Sequence, residues 1–343
     1  MRFKFWFNNS RNVSLPQSMI PAMTAVIYCI GNDSFTWWLG VLAVIGVGIA
    51  HLGMNLADDY YDYKQGIPNQ QIRSTLAAQG SVRARMDKCS YIQSGEATVE
   101  QLHRVMWAYL GTAGLIGSVI FAAQYMMNGP AAAVSVALYA VIALLLGLSY
   151  SGGPLRLGYW GLGELVIGVM FGLLNMLGVQ AACTGMMFSW PMLWLGIAMA
   201  CLVINIVYVH SVMECSADEK LNKMTFARLL GKPWLMIGFI AVFAVVPFVV
   251  LGVGIANGWW HWATLVTLAT LPMAIYLIHS TYRFVYDLPR NDKPKWWMGP
   301  MGEWQQYVKV GMDWFMLRWL LARNITTYWC LLFIIVVVAT QIL

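Results

Sequence analysis

Two short acidic runs hold the side chains best suited to chemistry. The segment HLGMNLADDYYDYKQG, His51 to Gly66, places Asp58, Asp59 and Asp62 just after Asn55. The segment HSVMECSADEKLNK, His210 to Lys223, carries Glu214 and Asp218 and closes on a lysine. Residues four apart share a helix face, so Asn55 pairs with Asp59, Asp58 with Asp62, and Glu214 with Asp218. Each run has a histidine one turn earlier, giving His51-x3-Asn55-x3-Asp59 and His210-x3-Glu214-x3-Asp218, a faint internal repeat. Clustered carboxylate and amide oxygens demand cations. The six cysteines are scattered without a CxxC pair, so neither a thiolate metal site nor a disulfide framework has the spacing it needs. An oxygen-only donor set suits a hard ion such as Mg²⁺, which keeps waters and takes phosphate oxygens as further ligands. The stripe therefore reads as a device for holding Mg²⁺ that in turn holds a diphosphate. For His51 and His210 a supporting hydrogen bond or a packing role outweighs direct ligation.

These acids lie in a very apolar chain. Of 343 residues 59% are hydrophobic and 10% charged, and mean hydropathy is +0.63, where a soluble domain carries about 25% charged residues. The composition implies an all-α polytopic membrane protein, and the weak alternation argues against an outer-membrane barrel. Nine spans are expected, near 14–31, 36–57, 104–127, 131–150, 161–184, 191–213, 234–256, 259–281 and 323–342, around a central cavity. The first is expected to be a retained helix, since no small-residue cleavage site follows it. All 21 Lys and Arg then fall in loops on one side, which puts the N-terminus in the cytoplasm, the C-terminus outside and the acidic helix ends on the cytoplasmic face of the plasma (inner) membrane. The +6 charge is thus a topology signal and calls for no nucleic-acid partner. Cytoplasmic cap segments are expected at about 58–103, 214–233 and 282–322 within one transmembrane domain, 1–343. The last of these mixes five tryptophans with basic residues, which suits a segment along the headgroups. Mid-membrane carboxylates cost about 2.5–3.5 kcal/mol each on insertion scales, so both clusters must line a wet cavity.

Four motifs in order resemble the UbiA superfamily of intramembrane aromatic prenyltransferases over almost the whole chain. NLADDYYDYKQG is similar to that family's first Asp-rich motif and MECSADEKLNKMTFARLLGK to its second, with Lys223 and Thr225 at matching places. YSGGPLRLGYWGLGELVIGVMFGLL, Tyr150 to Leu174, and RNVSLPQSMIP, Arg11 to Pro21, resemble the branch that prenylates 1,4-dihydroxy-2-naphthoate. Asp58 stands where an Asn is usual and Glu214 where an Asp is usual, and both keep an oxygen ligand. The resemblance implies an Mg²⁺ site at Asn55, Asp58, Asp59 and Asp62, and another at Glu214 and Asp218. It implies catalytic roles for Asp59, Asp62 and Asp218, with Tyr150 beside the allylic carbon. Lys223, Arg156, Lys88 and Lys64 would hold the diphosphate. Glu164 is open between helix capping or pairing and a substrate-side role. The partners implied are a polyprenyl diphosphate, a hydroxynaphthoate-type aromatic acceptor and the lipid bilayer. Other acceptors, 4-hydroxybenzoate or homogentisate, remain open. A cation transporter is the rival from another class. It is disfavoured because the acids cluster at one face and not at the bilayer midplane, where transporter sites lie.

Overall fold

The structure is a computed structural model that describes residues 3–66, 73–74, 78–79, 82–83, 86–87, 89–220 and 223–342. A short helix α1 (Phe3–Asn9) and a 3-10 turn (Asn12–Ser14) lead into α2 (Pro16–Cys29) and α3 (Trp37–Lys64). After α4 (Ser90–Gln93) come α5 (Val99–Asn128), α6 (Pro130–Ser151), α7 (Gly163–Gly168), a π-helical segment (Val169–Leu174) and α8 (Asn175–Thr184). The second half runs through α9 (Trp190–Met213), α10 (Cys215–Lys220), α11 (Phe226–Leu230) and α12 (Pro233–Ala256). A 3-10 stretch (Trp262–Thr270) continues into α13 (Leu271–Val285), followed by α14 (Trp304–Lys309) and α15 (Asp313–Val337). Between α3 and α4, two antiparallel pairs of two-residue strands join Arg73–Ser74 to Met86–Asp87 and Ala78–Gln79 to Val82–Arg83.

Among the described residues, eight helical stretches are long and apolar enough to cross a membrane. The protein is therefore a multi-pass membrane protein. The first of the nine expected spans is helical but has only 14 residues, about 21 Å at 1.5 Å per residue. It still packs between α3, α8 and α15 and is buried at Ala22, Thr24 and Ala25. Five of the long helices have proline in their first turn, where its missing N–H breaks no helical bond. At the start of α5, Thr98 Oγ1 accepts from the Gln101 N–H and the Gln101 side chain accepts from the Thr98 N–H, a reciprocal cap.

The exposed Trp37, Trp190 and Trp262 open three spans, at the ends of α3 and α9 remote from the acids, as expected of an interfacial aromatic belt. Helix α9 is the central pillar, packed against α12, α15, α7 and the π segment. Gly168 and Gly172, four apart, permit its closest approach. A Cβ at Gly172 would lie 2.3 Å from the Ala200 backbone, and one at Gly168 would lie 2.1 Å from Ile204. Small residues at this spacing let helices in lipid pack backbone to backbone, where apolar burial gives no net drive.

Candidate functional site

The first acidic run is helical throughout. With no breaker before Gly66 (φ 72°), α3 continues past the expected end at 57 to Lys64 and carries Asp58, Asp59 and Asp62 with it. Asp59 and Asp62 are buried. One counter-charge, for Asp58 and Asp59, comes from the N-terminal segment. Arg11, held at φ 57°, donates through Nη2 to Asp58 Oδ2 (2.7 Å), Asp59 Oδ1 (2.9 Å) and the Asn55 carbonyl (2.7 Å). Burial works against this charge. The pull of Asp59, then Asp58, outweighs it and raises the Arg11 pKa, so the guanidinium stays ionised. The Tyr91 hydroxyl donates to Asp59 Oδ2 (3.0 Å), and burial, with Asp59 adding, pushes that phenol well above its usual pKa. The Ser151 hydroxyl, at the end of α6, donates to Asp58 Oδ1. Asn55 Nδ2 donates to the Ser10 carbonyl (2.9 Å) and to Ser14 Oγ (3.2 Å). His51 is buried one turn below, with Nε2 on Ser14 Oγ (3.0 Å), Nδ1 on Ser18 Oγ (2.6 Å) and its ring stacked on Phe171. It supports the hydroxyl that Asn55 uses, the supporting role the sequence favours. Lys64 Nζ lies 5.0 Å over the Tyr60 ring.

The second run differs from its expected single helix. Helix α9 ends at Met213 and α10 begins at Cys215, yet the Asp218 N–H still donates to the Glu214 carbonyl (2.9 Å). His210 Nε2 contacts Glu214 Oε2 at 2.9 Å, which ties the histidine to a carboxylate. The Lys223 N–H donates to the Asp218 carbonyl (3.0 Å), and Arg228 Nη1 donates to the carbonyls of Asp218 (3.2 Å) and Lys223 (2.6 Å). Burial raises the Asp218 pKa above the ordinary aspartate value, opposed by Lys223 and His210 and helped by Glu214 and Glu164. A cation held there would need the ionised carboxylate, so the proton would compete with it up to a higher pH than at a free aspartate. Divalent-cation binding to the protein, followed by calorimetry, should therefore weaken as pH falls, starting above the range in which a free aspartate takes up its proton.

The loop from Gly152 to Leu162 ties the two clusters together. At one end the Gln65 amide donates to the Ser151 carbonyl (2.8 Å). At the other, the Gly161 N–H donates to the Met224 carbonyl (3.0 Å), next to Lys223. Tyr150, in the last turn of α6, sets its ring against Gly158 and Gly163. A Cβ at either would approach that ring to 3.1 or 3.3 Å, which explains the glycines of the Tyr150–Leu174 motif. Arg156, at φ 43°, lies 4.6 Å over the Tyr159 ring, and its Nε has no hydrogen-bond partner among the described residues. Glu164 resolves as a cap. Its buried carboxylate accepts from the Phe226 N–H (3.2 Å) at the start of α11, the helix that follows Lys223. Glu164→Ala should destabilise the fold by about 1–2 kcal/mol, as a lost helix cap does, read by thermal unfolding in detergent without metal.

Beneath the first cluster lies a cavity of about 460 Å³ between α3, α5, α6, α8 and the π segment. It begins at His51 and Met54 and is walled largely by Ala, Gly and aliphatic side chains. Among the described residues, no three His, Cys, Asp or Glu side chains close a cage for a metal. Oxygen donors at Asn55, Asp58, Asp59 and Asp62, and at Glu214 and Asp218, nonetheless fit an ion of the Mg²⁺ type. Such ions are usually held by one or two carboxylates plus substrate phosphates and not by an all-protein cage. Lys88 lies outside the described residues. Arg11, Ser151 and Tyr91 are the contacts sequence reasoning did not assign to the site. Arg11 had stood out only as a topology charge and as part of the N-terminal motif.

Residues 18–299 match the sequence pattern of the UbiA prenyltransferase family. The chain is 25% identical over 278 residues to the 1,4-dihydroxy-2-naphthoate octaprenyltransferase of Mycobacterium tuberculosis, covering 80% of this chain and 84% of that one. It is 22% identical over 297 residues to the Haemophilus influenzae protein of the same name, covering 85% and 90%. A solved structure of a digeranylgeranylglyceryl phosphate synthase superposes with a TM-score of 0.61 at 13% identity, covering 98% of this chain and 99% of that one. A UbiA homologue from Archaeoglobus fulgidus, bound to GPP and Mg²⁺, superposes at 0.54 and 12% identity, covering 94% and 99%.

Proposed function

Because the chain belongs to the UbiA prenyltransferase family, we propose that it transfers a polyprenyl group from an allylic diphosphate to 1,4-dihydroxy-2-naphthoate, in menaquinone biosynthesis. Family membership makes it a prenyltransferase and sets the transporter aside; the naphthoate acceptor and the Mg²⁺ dependence are the proposal. One observation carries it above the others. The end of α6, with Tyr150 and Ser151, and the loop bearing Arg156 that follows it run from the Asp58 cluster to Met224 beside Lys223, which puts an aromatic ring and a cation on the segment linking the two acidic clusters. The naphthoate-prenylating relatives support the acceptor.

In this reading Asn55, Asp58, Asp59 and Asp62 hold one Mg²⁺, and Glu214 and Asp218 another. Bound there, the ions would neutralise charge on the departing diphosphate. Lys223, Arg156, Lys64 and Lys88 add positive charge to the same oxygens, the electrostatic form of catalysis in which well-placed groups are worth about 3–4 kcal/mol each. The allylic C–O bond breaks with its electron pair leaving on the diphosphate. Tyr150 presents a π-face to the cationic carbon. The naphthoate ring carbon that bears the carboxylate forms the new C–C bond, and CO₂ departs, its bonding pair restoring the aromatic ring. The apolar cavity keeps water from the cation and gives the isoprenoid tail its walls. The whole chain would act as one transmembrane domain, with the N-terminus and acidic rims facing the cytoplasm, the C-terminus outside, in the plasma membrane.

The test is a membrane assay with Mg²⁺, several polyprenyl diphosphates, and naphthoate, benzoate and homogentisate acceptors, with products identified by mass. A prenylated naphthalenediol lacking the carboxylate is expected. Product formed solely from 4-hydroxybenzoate or homogentisate would reassign the acceptor, and a naphthoate product that keeps its carboxylate would overturn the coupled decarboxylation.

A further inference from the structure

Between α13 and α15 the chain folds back along both helices. The Trp297 ring lies edge-on to Tyr276 at 5.5 Å, and Lys295 Nζ sits 5.2 Å over the same ring. Tyr276 is nine residues before the end of α13 at Val285, about 14 Å along its axis. On the other helix, Asn324 Nδ2 donates to the Met298 carbonyl (2.8 Å) and the Pro300 carbonyl (3.0 Å). Asn324 is eleven residues into α15 from Asp313, about 16 Å from its start. Residues 295–300 are thus level with the interior of both spans. Arg323 is the last charged residue of α15, so this is the height at which its apolar zone begins. The helix end concerned is the one beside the second acidic cluster, where Phe315 stands edge-on to His210 at 5.1 Å.

At that height Trp296 is 93% exposed. Trp297 packs on Tyr276 and Met298 is fully buried, so the backbone holds the Trp296 indole outward. An indole, with an apolar body and one N–H, suits the boundary between acyl chains and headgroups. The charge beside it has mainly one sign. Arg290, Lys293 and Lys295 are exposed. The acid among them, Asp292, is spent on the buried Arg318 (2.9 Å), which also donates to the Ser280 carbonyl (3.0 Å). Arg290 has the exposed Asp287 at 3.9 Å. Among the described residues, no acid comes within ion-pair reach of Lys293 or Lys295. A positive rim around an outward indole, at the edge of an apolar zone, complements the phosphate of an anionic lipid.

We propose that Leu288–Pro300 is a lipid-docking strap. Trp296 enters the headgroup boundary of the leaflet on the side of the acidic clusters, and Lys293 and Lys295, with Arg290, hold the headgroup of an anionic phospholipid. The packing on Tyr276, Arg318 and Asn324 orders the strap in advance, so little of the attraction is lost to fixing it.

Native mass spectrometry on protein released from nanodiscs of equal phosphatidylglycerol and phosphatidylcholine tests the charge. Wild-type protein should retain phosphatidylglycerol at least about tenfold over phosphatidylcholine, the scale of three basic side chains at a headgroup surface. In Arg290→Gln/Lys293→Gln/Lys295→Gln that preference should fall about tenfold, with the melting temperature unchanged. Insertion has its own readout. A polarity-sensitive label on Trp296→Cys, with labelled wild type as background, should be quenched by lipids spin-labelled near the headgroup and spared by a water-soluble quencher. Equal retention of the two lipids by wild-type protein overturns the proposal whether or not the triple variant folds, because the three charges then act as topology signals alone. So does a folded triple variant that keeps the full preference. A label quenched from water and untouched by the lipid probe overturns the placement of Trp296.

Discussion

Asp59→Asn should reduce turnover by about 10²–10³-fold at saturating substrates, the scale expected when one electrostatic contact to the developing charge is lost. The substitution is nearly isosteric and isolates charge from shape. Asp59 is 5% exposed, and an amide oxygen there can still accept from the Tyr91 hydroxyl, while Arg11 keeps its bond to Asp58. The fold should therefore survive, and the melting temperature in detergent checks that directly. If Asp59 holds Mg²⁺ as proposed, the Mg²⁺ concentration for half-maximal rate should rise as well, because one anionic group of the first cluster is gone. Folded Asp59→Asn protein turning over within tenfold of wild type would remove Asp59 from the proposed metal-holding set.

The second large effect is on stability. Gly172→Ala should destabilise the protein by about 3 kcal/mol, the upper part of the range for overpacking a tight core. The new methyl would sit 2.3 Å from Ala200 N and Cα, so relief requires moving backbone and not merely a side chain. Helix α9 cannot yield easily, because α12 and α15 brace its other sides. Gly111→Ala is the control. Nothing lies within 4 Å of a Cβ there, so that change should be neutral or gain up to about 1 kcal/mol from helix propensity. Unfolding of both variants in mixed micelles gives the comparison. Equal stabilities would show that the α9 contact is softer than its geometry.

Periodicity and hydropathy made the spans legible because lipid forces every backbone group into helical bonds, and residues 130–151, 163–184 and 190–213 fall within a few residues of expectation. Hydropathy failed where helix continued outside the apolar zone. The polar end of α3 holds its helix to Lys64 because no residue there breaks it, so a span ended on composition stops too early. The acidic runs announced the site through residue type and spacing. Arg11 could not be found that way. It lies 47 residues before Asp58, and a long-range ion pair leaves no local pattern. The π winding of Val169–Leu174, which sets the register of Phe171 and Asn175 against the cavity, has no composition of its own either. Glu164 was undecided in sequence because its partner, the Phe226 N–H, is a backbone group 62 residues away.

Arg11 also bears on how the protein would tolerate losing the proposed ion. A pocket of bare carboxylates would repel itself once stripped. Here a guanidinium bridges Asp58 and Asp59, and a phenol steadies the second of them. If the activity depends on Mg²⁺ as proposed, chelation should silence the enzyme without dismantling it, and restoring the cation should bring it back from an intact, merely idle form. On that reading, assembly in the bilayer could run ahead of metal supply, because the scaffold carries its own temporary ballast.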